Sequence, residues 1–107
     1  MNTNYQIEWS DEAKKDRNEF NAYQRTQINK AVHKVSQNPL PQNEGGYGKP
    51  LGNKFGNNLT GLCKIVLMKL GIRVVYKLIR TDEIMRIIVV AARADEEVYN
   101  IAAARNT

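Results

Sequence analysis

Two runs of alternating, β-branched-rich sequence, Leu62-Cys63-Lys64-Ile65-Val66-Leu67-Met68 and Ile72-Arg73-Val74-Val75-Tyr76-Lys77-Leu78-Ile79, flank Lys69-Leu70-Gly71. This hairpin signal constrains the chain more than any other feature, because strand pairing dictates which side chains share a surface. With Leu70-Gly71 as a two-residue turn, Gly71 supplying the positive φ, Lys69 is expected opposite Ile72, Val66 opposite Val75 and Lys64 opposite Lys77. Side chains alternate along a strand and opposed residues share a face. One face then collects Cys63, Ile65, Leu67, Val74, Tyr76 and Leu78, and the other Lys64, Val66, Met68, Arg73, Val75 and Lys77. The first wants a core. The second is cationic and partly aliphatic and needs water or an anionic partner, so Lys64, Arg73 and Lys77 are expected on an open concave side. A one-residue slip would mix the two sets, which argues for the parity of the pairing.

The run Ile84-Met85-Arg86-Ile87-Ile88-Val89-Val90-Ala91-Ala92 is apolar at nearly every position, as an inner strand covered on both sides should be. It delivers Arg93, after which Ala94-Asp95-Glu96-Glu97 opens a helix whose acidic first turn and terminal Arg105 suit the helix dipole. Upstream, Tyr5-Gln6-Ile7-Glu8-Trp9 alternates as a first strand, and Ser10 caps a following helix with Asp11 and Glu12 in its first turn. The helical pattern over residues 10–38 breaks near Asn21, where Asn21-Ala22-Tyr23-Gln24 has capping-box spacing. Pro39 and Pro41 end the second helix, residues 42–48 read as loop, and residues 49–59 as the approach to the hairpin. The expected fold is α+β: a small antiparallel-rich sheet in the order β-α-α-β-β-β-α, with a helical hairpin packed on one face. At 107 residues, one domain over 1–107 is expected.

The net charge of +5 understates an asymmetry. Residues 45–80 carry seven basic side chains (Lys49, Lys54, Lys64, Lys69, Arg73, Lys77 and Arg80) and no acidic one, so this stretch is +7 and the rest of the chain −2. Cations concentrated on one part of a small domain point to a polyanion, most often nucleic acid. No apolar run has signal-peptide or membrane-spanning character, and the single cysteine cannot form an internal disulfide, so a cytoplasmic protein is expected. His33, Cys63 and Trp9 read as structural residues. No His, Cys, Asp or Glu cluster has metal-ligand spacing, and no phosphate-loop or dinucleotide motif is present, so no metal or cofactor is expected.

The ordered set Gly61-Leu62-Cys63-Lys64-Ile65, Gly71-Ile72-Arg73-Val74-Val75-Tyr76, Arg93 and Glu97-Val98-Tyr99 resembles the RelE/ParE toxin superfamily of bacterial type II toxin–antitoxin systems. The resemblance is close over the C-terminal half and topological over the N-terminal half. It implies a metal-independent, ribosome-dependent mRNA endonuclease: the RNA 2′-hydroxyl attacks the adjacent phosphate, leaving a 2′,3′-cyclic phosphate and a 5′-hydroxyl. The implied catalytic set is Lys64, which holds the phosphate, Arg73, which binds the charge developing on its oxygens, Arg93, which assists the leaving 5′-oxygen, and Tyr99, which stacks or orients a base. Lys49, Lys54, Lys69 and Lys77 would bind RNA along the basic stretch. The implied partners are the ribosome with its mRNA and an acidic, partly disordered antitoxin.

Two departures from the superfamily pattern matter. Val66 stands where the nucleases carry a second strand cation, the general base, and Ala92 stands where a polar or basic residue often precedes the arginine. A lysine serves as a base near neutrality only when its pKa falls well below about 10.4. The gyrase-poisoning branch of the superfamily, which keeps the fold without the nuclease residues, is therefore the alternative, with a non-toxic nucleic-acid-binding module as the third reading.

Overall fold

The computed structural model describes residues 4–106. Strand β1 (Gln6–Trp9) leads through Ser10 into α1 (Asp11–Asn18), where the serine side chain accepts from Ala13 N at 3.1 Å. The capping box forms as well: Gln24 N donates to Asn21 Oδ1 at 2.8 Å, Asn21 N donates to Gln24 Oε1 at 2.9 Å, and α2 (Ala22–Ser36) starts there. A short 3-10 turn at Gln42–Glu44 precedes β2 (Lys49–Lys54), β3 (Asn57–Leu67), β4 (Ile72–Ile79), β5 (Ile84–Ala91) and α3 (Asp95–Arg105). The five strands form one mixed sheet in the order β1-β5-β4-β3-β2, parallel between β1 and β5 and antiparallel elsewhere. Among the described residues no helix is long and apolar enough to cross a membrane.

The structure corrects three expectations. First, the sheet has a strand more than the sequence pattern suggested, because residues 49–54 pair with the start of β3 through a Phe55-Gly56 turn. Pro50 is tolerated there because β2 is an edge strand. Both turn residues have positive φ, 51° at Phe55 and 78° at Gly56, a conformation that matches the twist of a tight hairpin but is unusual for a bulky side chain. Second, the central hairpin pairs Leu67 with Ile72, Val66 with Arg73 and Lys64 with Val75, a shift of two from the expected register. Met68, Lys69, Leu70 and Gly71 all belong to the turn, with Gly71 at φ 66°. The shift is even, so each side chain stays on its assigned face.

Third, the second face is covered as well. On the first face Ala13, Ile28, Val32 and Val35 of the helical hairpin pack on Cys63, Val74, Tyr76 and Met85. On the second, Val98, Tyr99 and Ala102 of α3 pack on Leu51, Leu62, Val75 and Val89. A bulge makes this two-sided burial possible along β5: Val75 pairs with Val89 and Tyr76 with Ile87, so Ile88 is the extra residue and joins Val89 on the α3 side.

Tyr76 is fully buried and donates to Pro39 O at 2.7 Å. Gly48 packs against it so closely that an added Cβ would lie 2.2 Å from its hydroxyl. Burial pushes the Cys63 thiol above its ordinary 9.0, an effect that its contact with Tyr76 only partly offsets, and burial together with the neighbouring Cys63 pushes the Tyr76 hydroxyl far above 10.0. Both groups therefore hold their protons longer in the folded than in the unfolded chain. Their contribution is complete below the unfolded-state values and is lost as pH rises past them. Urea unfolding is expected to give constant stability between about pH 7 and 8 and a progressive fall from about pH 9 upward. Stability that rises over that alkaline range would contradict the burial of these two groups.

Candidate functional site

Lys64 enters the site from the middle of β3, Arg73 from the start of β4 and Tyr99 from the second turn of α3. Lys64 Nζ donates to the Tyr99 hydroxyl at 2.7 Å and lies 5.4 Å from the centre of that ring. Arg73 donates through Nε to Asp95 Oδ1 and through a terminal nitrogen to the Arg93 carbonyl at 2.9 Å. Asp95 Oδ2 stands 3.7 Å from Lys64 Nζ. Two strand cations thus converge on one carboxylate in the first turn of α3.

Sequence reasoning placed Asp95 at that helix start for its effect on the dipole and missed its tertiary role. Nothing local signals it, because only the packing of α3 across the sheet brings the carboxylate over Lys64 and Arg73.

A pocket of about 320 Å³ opens beside this cluster, lined by Pro50, Leu51, Phe55, Lys64, Asp95 and Tyr99. The Tyr99 and Phe55 rings are 5.8 Å apart and tilted by 38°. Tyr99 is only 3% exposed, whereas Phe55 is 57% exposed, so the ring face open to a base belongs to Phe55. Phe55 gave no such signal in the sequence, because the turn that presents it exists only through the pairing of β2 with β3, and residues 49–59 read as the approach to the hairpin.

The other sequence-predicted residues are dispersed. The Arg93 guanidinium is 62% exposed and donates to Glu97 at 3.1 Å, one helical turn on, so only its backbone carbonyl meets the Arg73 cluster. Lys49 pairs in register with Lys64 and lines a second recess with Lys34 and Tyr47. Lys69 lies in the β3–β4 turn, in a groove against Tyr23, Gln27 and Lys30 of α2, away from the cluster. Lys77 is exposed two residues beyond Val75 on β4. The Lys54 side chain lies outside the described part of the structure. Val66 sits directly across from Arg73. His33 is exposed on α2, and Trp9 packs at the core edge with the Arg17 guanidinium 4.3 Å from its ring centre.

The chain shares its fold with solved structures of RelE toxins. The chain superposes on the free form of a doubly arginine-substituted E. coli RelE with a TM-score of 0.75 at 23% identity, covering 100% of both chains. Isolated E. coli RelE gives 0.68 at 23% identity, over 96% of this chain and 99% of that one. The RelBE2 toxin–antitoxin complex of Mycobacterium tuberculosis gives 0.66 at 20% identity, over 86% and 94%. No protein-family model and no curated protein sequence matches the chain.

Proposed function

We propose that this chain is the toxin of a toxin–antitoxin pair and acts in the cytoplasm as a single-domain, ribosome-dependent mRNA endonuclease. The observation that carries the reading is the convergence of Lys64, Arg73 and Tyr99 beside a pocket bearing an exposed aromatic ring, on a fold shared with RelE. Arg73 and Lys64 hold the scissile phosphate, and Arg93 swings from Glu97 to meet the departing 5′-oxygen. Phe55 over Tyr99 supports a base. Lys49, Lys54, Lys69 and Lys77 steer the polyanion, and an acidic antitoxin covers the same cationic surface, as complementary charge favours. The structural neighbours include RelE bound to an antitoxin peptide.

The deciding experiment incubates the purified protein with ribosomes carrying a defined mRNA and maps the ends. The expected products end in a 2′,3′-cyclic phosphate and a 5′-hydroxyl, and a single 2′-deoxy substitution at the cleavage position abolishes cutting. Val66, a valine where a nuclease base would stand, is the observation that favours a gyrase inhibitor instead. Intact mRNA together with blocked DNA supercoiling would establish that reading.

A further inference from the structure

We propose that Asp95 is the general base of this site, taking the proton from the attacking RNA 2′-hydroxyl. The proposal rests on the nuclease reading above and supplies the group that Val66 leaves missing from β3.

The geometry makes Asp95 the suitable carboxylate. Its Oδ1 is fixed by Arg73, while Oδ2 is 3.7 Å from Lys64 Nζ, beyond hydrogen-bond reach, and so is open to a new donor. It lines the pocket of about 320 Å³ with Phe55 and Tyr99, which is large enough for a ribose. Glu97, the other carboxylate near the arginine pair, is turned outward and engaged with Arg93. A carboxylate accepts at both of its oxygens, so the one that Arg73 leaves open can receive the 2′-hydroxyl proton. Holding one oxygen on a guanidinium orients the other, as a supporting partner orients any general base.

The step balances without an added reactant. Asp95 Oδ2 takes the 2′-hydroxyl proton as the O2′–P bond forms and the P–O5′ bond breaks. The departing 5′-oxygen takes a proton from solvent with Arg93 alongside, and Asp95 returns its own proton to solvent. Arg73 and Lys64 face the carboxylate before substrate arrives. When the phosphate enters they bridge it and Asp95, so one pair of cations sets the distance between base and reacting phosphorus.

The test uses the full-length protein on ribosome-bound mRNA under single-turnover conditions. Asp95→Asn keeps the shape and one acceptor oxygen for Arg73 and is expected to cut about a hundredfold or more slowly, while binding to ribosomes is unchanged or tighter. Asp95→Glu should recover part of the rate. A substrate with a 5′-bridging sulfur, whose leaving group needs no acid, should not rescue Asp95→Asn, because the missing function lies on the attacking side. If Asp95→Asn cleaves as fast as wild type or faster, the carboxylate is not the base and acts instead as an internal competitor for the phosphate cations. Rescue by the sulfur leaving group would equally overturn the assignment. A wild-type protein that leaves mRNA intact would end the nuclease reading itself, a separate outcome from either.

Discussion

Replacing Arg73 by alanine is expected to lower cleavage of ribosome-bound mRNA by about a hundredfold or more and to relieve growth arrest on expression, with the fold intact. The size of the effect follows from what the side chain does at once. It is the fork that reaches both Asp95 and the Arg93 carbonyl from a strand whose neighbours Val74 and Val75 are fully buried, so its position is set before substrate binds. Arg73→Lys keeps the charge but loses the paired donors, and should recover only part of the rate. Arg93→Ala should also impair cleavage, through the leaving group. Lys14→Ala, on the exposed side of α1, should change nothing. Circular dichroism and urea unfolding separate a damaged site from a damaged fold. A folded Arg73→Ala protein that remains fully toxic would remove the phosphate clamp from the mechanism.

The second large effect is expected away from the cluster, at the far end of α3. Arg105 donates to Asp16 Oδ2 at 2.7 Å, to Asp16 Oδ1 at 3.3 Å and to the Ile88 carbonyl at 2.9 Å. Asp16 Oδ2 also accepts from Val90 N at 3.0 Å. The arrangement answers a backbone need. β1 ends at Trp9 opposite Ile87, so past that point β5 has lost its neighbour, and these two side chains take over the groups that a longer strand would have paired. Arg105→Ala breaks a partly buried pair and strands the Ile88 carbonyl, which together should destabilise the protein by about 2 kcal/mol, a value already discounted for solvent screening. Hydrogen exchange should accelerate most along α3, while amides around Val74 and Tyr76, which exchange through global unfolding, should lose only the protection that the drop in stability accounts for. Because Asp95 and Tyr99 ride on the same helix, cleavage should fall as well. Uniform exchange changes over the whole sheet, or a stability within about 0.5 kcal/mol of wild type, would show that this clamp does not hold the helix.

The parts of this molecule that were legible in the sequence are those governed by local chemistry. Ser10, Asn21 and Gln24 marked both helix starts because a cap works through its own neighbours. The two faces of the β3–β4 hairpin were legible because strand alternation survives any even error. The register itself was not, since Met68 continues the strand composition and nothing local shows that four residues rather than two make the turn. β2 was hidden by Pro50 and Gly52, residues that argue against a strand unless it lies at an edge. The site was half legible. Lys64, Arg73 and Tyr99 lie on one side as expected, while Asp95 and Phe55 became visible only when a helix and a turn from opposite ends of the C-terminal half met over the sheet.

The four-residue turn at 68–71 has a consequence for how such a chain can vary. Residues added or removed there can be absorbed by the turn itself, because the buried side chains of β3 and β4 hold the register, so Lys64 and Arg73 remain on one surface and the apolar set stays inward. A one-residue slip of β4 along β3 would exchange inside for outside along all of β4, carrying Arg73 into the core and Tyr76 away from Pro39. Length at this turn can therefore vary without moving the site, whereas the pairing of the two strands cannot shift by an odd number.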